Sequence, residues 1–224
     1  MKTTNDKSAT IAFSFIQLAF RDYIAARFLI NNGFLLQGLT LSSTAIEKYI
    51  KVILVLNGKT KKEMKVHLNN VDKLKMELAS CYYDVTRFMD DHFLDILGKM
   101  YTIRYYDDII KPVTIGFFIN QFLGELDYIV NIFETKIITG LKRADGGPIK
   151  TAYKRAIDDE DPSLFENNYI LKGINKKEHM EKLDTGYFIN IQPETLASGE
   201  TEGFGRNIKN QYLGQISLIN VKFQ

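Results

Sequence analysis

Hydrophobic residues in the first 143 positions recur at intervals of three and four, the spacing that holds side chains on one face of an α-helix. Ile11, Phe15, Leu18 and Ala25 form the first stripe, with Asp22 in the same register, and Asn31-Asn32-Gly33 ends it with residues that accept a left-handed C-cap. A second apolar run extends from Leu35 to Leu56, with Ile46, Ile50 and Ile53 on one line and Ala45, Tyr49, Val52 and Leu56 beside it, and Asn57-Gly58 stops it. At about 1.5 Å per residue both helices reach roughly 30 Å, the length of an antiparallel bundle pair. A shorter helix is predicted over Asn69 to Ala79. A fourth is predicted from Asp84 to Tyr101, turning Met89, Phe93, Ile96 and Met100 inward, with a break across Tyr105 to Lys111 ahead of Pro112. The most regular pattern is the last: Ile115, Ile119, Phe122, Leu126, Ile129 and Phe133 predict a fifth helix with the seam of a packed pair.

The pattern changes at Arg143-Ala144-Asp145-Gly146-Gly147-Pro148, where two glycines and a proline interrupt any helix. Beyond it, Ala152 to Ile157 reads as a helical turn, whereas Tyr187 to Ile191 and Ile219 to Phe223 alternate like short strands. Asp158 to Pro162 reads as a solvated acidic turn and Ser198 to Gly205 as a flexible glycine loop. The expected fold is mainly α: an up-and-down bundle of about five helices over residues 8–143, with a small mixed α/β C-terminal appendage over 144–224.

Charge and cysteine content narrow the function classes. The 224 residues carry a net charge of +2, so no global cationic field marks a nucleic-acid packaging protein, and any nucleic-acid contact must be local. Residues 1–143 hold 19 basic against 15 acidic residues, and 144–224 hold 10 against 12. One cysteine, Cys81, excludes an internal disulfide and multi-cysteine metal sites and fits a reducing compartment, with the cytoplasm as the expectation. Met1 to Lys7 is followed by no signal-type apolar region, and no uncharged run approaches the roughly 20 residues of a membrane span. The three histidines are not spaced as ligands, so no zinc site is expected; His67 is expected to open the third helix and bond backbone, and His179 to be exposed. Gly199 to Gly205 matches neither a phosphate-binding loop nor a dinucleotide fingerprint, and no nucleophile or metal motif of a hydrolase is present, so no cofactor is expected.

Three segments carry a family resemblance. Ala25-Ala26-Arg27-Phe28-Leu29 and Gly38-Leu39 precede Ala45-Ile46-Glu47-Lys48-Tyr49-Ile50-Lys51; His67-Leu68 follows a loop; and Tyr101-Thr102-Ile103-Arg104-Tyr105-Tyr106-Asp107 ends the fourth predicted helix. Together these resemble the HEPN family over about Ile11 to Leu141, with Tyr106 where that family commonly has proline. The resemblance implies a dimeric interaction module that engages RNA, a nucleotide or a nucleotidyltransferase-type partner, in a toxin–antitoxin or defence-type setting and without catalysis of its own. It also implies a cleft lined by Glu47, Lys48, Lys51, Arg104, Tyr105 and Asp107. On spacing alone, Glu47 and Lys51 are equally an ordinary i,i+4 ion pair, and Arg104 with Asp107 or Asp108 a helix closure.

Two alternatives stand beside that reading. HEPN ribonucleases carry an arginine and a histidine with four to six residues between them, and Arg87-Phe88-Met89-Asp90-Asp91-His92 meets the spacing with four. A guanidinium on phosphate and an imidazole titrating near neutrality suffice chemically for RNA, which carries its own 2′-hydroxyl nucleophile. On one continuous helix, however, residues five apart point about 140° from each other. The second alternative is a purely structural helical dimer. The basic loop Lys59, Lys61, Lys62 and Lys65 is a further place for phosphate contact, or simply a solvated surface.

Overall fold

The structure is a computed structural model that describes residues 6–59, 62–65, 67–81, 84–104, 113–138, 142, 146–147, 149–182 and 186–191, with the backbone alone at 6–7 and 216–221. It is mainly helical. Helix α1 (Asp6–Asn31) and helix α2 (Leu35–Leu56) form a long hairpin turned at Gly33, whose φ of 82° is the left-handed conformation predicted for that C-cap. The two helices meet closely at Gly38, where a Cβ would lie 2.5 Å from Ile30 Cγ1 and 3.2 Å from the Ala26 carbonyl oxygen. The predicted stripe of α2 is the core: Ala45, Ile46, Tyr49, Ile50, Val52 and Ile53 are all buried.

Helix α3 (Val71–Ala79) starts where Asn70 accepts the Lys73 amide. The fourth predicted helix divides. Asp84 caps a short 3-10 turn, Val85–Phe88, then Met89 is extended and Asp90 caps helix α4 (Asp91–Ile103) by accepting the Phe93 amide. Two aspartates six apart, each able to satisfy free amides, provide two starts where the apolar periodicity predicts one.

The fifth predicted helix also starts later than its periodicity implies. Val113–Phe118 is strand β1, and helix α5 spans Ile119–Ile132. Ile115 lies in the strand because an interval of four is also an even number: Ile115 and Phe117 are buried at strand spacing, and the Ile115 to Ile119 step fits either element. From Phe122 onward the predicted seam holds, and Phe122, Leu126, Ile129 and Phe133 are buried. Phe133–Ile137 continues α5 as one wider, π-helical turn.

The second segment contributes α6 (Ala152–Asp158), α7 (Pro162–Phe165), α8 (Lys176–Met180), β2 (Gly186–Ile191) and β3 (Ile216–Val221). The strands form a small antiparallel sheet in the order β1-β2-β3, with Ile115 opposite Ile189. The two strands predicted from the alternation beyond residue 186 correspond to β2 and β3. Tyr153, Ala156, Leu164, Ile189 and Ile191 belong to the same buried cluster as α1, α2 and α5, so the described part of the second segment shares the core of the first.

A buried charge ties the segments together. Arg27, with no exposed surface, pairs with Asp127 of α5 and donates to the carbonyls of Ser163 and Glu166, while the Tyr23 hydroxyl donates to Asp127 at 2.7 Å. His179, expected at the surface, is buried: its ring stacks on Tyr169 at 4.4 Å and its Nε2 donates to the Asn120 carbonyl at 3.0 Å. No described helix is long and apolar enough to cross a membrane.

Candidate functional site

Glu47 sits in the middle of α2, on the side turned toward α4, and is 6% exposed. A carboxylate that deep needs compensation, and two cationic side chains and a histidine supply it. Lys51 reaches it from one turn later on the same helix. Arg104, directly after α4, donates from Nη2 to Oε2 at 3.3 Å, and its Nη1 donates to Thr44 Oγ1 at 3.1 Å. His67, in the loop before α3, donates from Nδ1 to Oε1 at 3.3 Å. Burial pushes the Glu47 carboxyl up, but Lys51, Arg104 and His67 more than offset it and hold the group below the usual carboxylate range.

Tyr101 forms the base of the site. The Arg104 guanidinium lies 4.5 Å from its ring centroid and the His67 ring 4.8 Å from it. The Tyr-x-x-Arg spacing explains the first contact, since residues three apart on a helix share a face, and the Arg–aromatic stack fixes the plane of the fork. The loop bearing His67 can approach because α4 has Gly98 beneath it: a Cβ there would stand 2.9 Å from the Leu68 carbonyl oxygen. A Gly98→Ala variant is therefore expected to lose about 1–2 kcal/mol of stability and to displace His67; its imidazole resonances report the displacement, and unchanged resonances would contradict it.

One negative and two permanent positive charges leave the cluster cationic, and a protonated His67 adds a third. The three donors are partly exposed, with Lys51, Arg104 and His67 showing 21%, 26% and 37% of their side chains, whereas Glu47 is enclosed. An anion arriving from solvent meets the donors before the carboxylate. A stacked, pre-oriented guanidinium with planar donors has the chemistry that suits an oxyanion.

The other sequence-predicted residues lie elsewhere. Lys48, one position from Glu47 and so about 100° round the helix, turns to α1 and pairs with Asp22. Tyr105, Asp107 and Lys61 are outside the described residues. Lys59 is engaged with α3 through Glu77 at 3.3 Å and Ser80 at 2.8 Å, while Lys62 and Lys65 are exposed. Arg87 and His92 fall on different elements rather than one helix. Arg87, 79% exposed, faces Asp84 at 3.9 Å; His92 Nε2 donates to the Gly116 carbonyl of β1 at 3.0 Å, beside a cleft of about 570 Å³ walled by Phe93, Phe117, Phe122 and Tyr187.

Sequence reasoning did not assign His67, Tyr101 or Thr44 to this site. His67 was legible only as part of a His-Leu pair, and its approach to Glu47 depends on a loop path that no periodicity encodes. Among the described residues no group of three histidine, cysteine, aspartate or glutamate side chains is placed to hold a metal ion. Comparisons with protein-family models, with curated proteins and with solved structures find no match to this chain.

Proposed function

We propose that the protein is a HEPN-type helical interaction module that binds RNA through its phosphodiester backbone at the Glu47 site. The observation that supports this reading most is the convergence of Lys51, Arg104 and His67 on one enclosed carboxylate, with Arg104 stacked on Tyr101. Glu47 orients the three donors, and the phosphate takes their solvent-facing side. The family resemblance adds a homodimer with this cleft near its interface and, as a protein partner, a nucleotidyltransferase-type enzyme. A sedimentation measurement returning the monomer mass at micromolar concentration would remove the dimer from the reading.

Fluorescence anisotropy with a labelled single-stranded RNA tests the site. Arg104→Ala is expected to weaken binding about tenfold or more, the scale of a lost charge-assisted hydrogen bond. Lys62→Ala, in the exposed loop, is expected to change it less than about threefold. Equal losses in the two variants would remove the Glu47 site from the reading.

A second reading, ribonuclease activity, is favoured by the same placement of His67. An arginine and a histidine share Glu47, so the pair that the linear motif sought in Arg87 and His92 is offered by Arg104 and His67 instead. In this reaction the imidazole takes the proton of the 2′-hydroxyl, O2′ attacks phosphorus as the bond to the 5′-oxygen breaks, and that oxygen takes a proton from water to leave as a hydroxyl, giving a 2′,3′-cyclic phosphate. RNA cleaved by the parent protein in chelator but left intact by His67→Ala supports this reading; cleavage lost in His92→Ala and kept in His67→Ala would return it to the original pair.

A further inference from the structure

The π-helical turn at the end of α5 places Glu134 in a setting that neither the phosphate site nor the Arg27 network uses. Wider turns of this kind recur where a helix gives up ideal hydrogen bonding to aim a side chain. Glu134 is 5% exposed, and its Oε1 accepts the Tyr49 hydroxyl at 2.7 Å. Its Oε2 makes no hydrogen bond of ordinary geometry among the described residues, although the Thr151 side chain, which also lines the adjoining cavity, stands close enough to lower the carboxyl. An enclosed carboxylate oxygen without a well-formed hydrogen bond is costly, and its surroundings show what would satisfy it.

Glu134 lines a cavity of about 330 Å³, within the size range of small-molecule sites. Ile138, Ile149, Tyr153 and Ile157 supply apolar walls. The Tyr153 ring is fixed by its hydroxyl, which donates to Asn131 at 3.1 Å. Lys154 and Asp158 stand at the rim, with Asp158 paired to Lys150 at 2.7 Å. The cavity therefore joins a carboxylate at one place to a hydrocarbon-lined space beside it.

We propose that this cavity binds a small aliphatic amine, its ammonium donating to Glu134 Oε2 and its carbon chain lying against Ile138, Ile149, Tyr153 and Ile157. A neutral alcohol of the same shape fills the space but leaves the carboxylate without a cation. Burial holds the free Glu134 carboxyl up at about 7, and an ammonium beside it favours the ionised form, so the amine supplies the charge that the site lacks.

Calorimetric titration of the full chain at pH 7.5 with n-pentylamine tests this, with n-pentanol as the neutral control. The amine is expected to bind saturably with one equivalent, and the alcohol about tenfold or more weaker. Glu134→Gln keeps an acceptor for Tyr49 and is expected to bring the amine down to the level of the alcohol. Ile149→Phe, which fills the cavity from its wall, is expected to abolish both, with circular dichroism confirming that each variant is folded. Equal affinity for amine and alcohol, undiminished amine binding in the glutamine variant, or no heat with millimolar amine would each overturn the proposal.

Discussion

Replacing Arg27 by alanine is expected to lower the unfolding free energy by about 3–5 kcal/mol, the cost of leaving one charge of a buried pair alone. Both partners are enclosed, at 0% exposure for Arg27 and 1% for Asp127, so the figure for a surface pair, about 0–1 kcal/mol, does not apply. Burial pushes the Asp127 carboxyl up and Arg27 pulls it down. Without the guanidinium the carboxyl takes up a proton more readily, and the loss should shrink as the pH is lowered. The carbonyls of Ser163 and Glu166 also lose their donor, which loosens the α7 region from α1. Urea titration measures the total, and limited proteolysis shows whether the α7 region opens first. Arg27→Met with Asp127→Leu removes both charges and is expected to be more stable than Arg27→Ala alone; a double variant that is no better would mean that backbone donation, not the ion pair, sets the cost.

The second large effect is a pH dependence centred on Glu134. Burial raises its carboxyl from an ordinary 4.5 to about 7, more than the Tyr49 and Thr151 side chains lower it. The folded state thus binds this proton more tightly than the unfolded chain does. The stabilisation is complete below about pH 4.5 and is lost as the pH rises through 7, by roughly 3 kcal/mol at 1.36 kcal/mol per unit. Other carboxylates titrate in the same range, so the difference between the parent and Glu134→Gln isolates this one. The glutamine variant is expected to gain on the parent by roughly that amount between pH 4.5 and pH 8. Parallel stability curves would show that Glu134 stays near its ordinary value and that its surroundings are wetter than its enclosure implies.

The two long helices were legible in the sequence because one physical signal dominates them. Each ends at an Asn-Gly pair that takes a turn conformation, Gly33 and Gly58 both having positive φ. Only the α2 stripe is the buried one, however: in α1 the core side is Ala12, Ile16, Ala19, Tyr23, Ala26 and Ile30, one position on from the predicted line, and Leu18 is 45% exposed. The other failures lie where two signals coincide. A four-residue interval at Ile115 serves helix and strand alike, and the β-branched and aromatic run Val113 to Phe118 settles it as strand. Aspartates at 84 and 90 each claim a helix start, so the apolar register of Met89 and Phe93 crosses an extended residue.

The site was partly legible for the same reason. Glu47 and Lys51 are neighbours because residues four apart on a helix always are. Arg104 joins them because α4 packs on α2, an association that the residues hint at only through family resemblance. His67 arrives by a loop, and its position depends on the small size of Gly98, some 30 residues further along the chain. Side chains carried by loops and admitted by a glycine elsewhere leave no local pattern.

The phosphate-site reading is tested most directly by nuclear magnetic resonance titration of the full chain with a short single-stranded RNA in chelator. Perturbations concentrated at the Lys51 ammonium, the His67 imidazole and the Arg104 guanidinium, and lost in Arg104→Ala, are the expected result. Perturbations confined to the Lys59 to Lys65 loop or to His92 and the cleft beside it, with the Glu47 cluster unmoved, would contradict it.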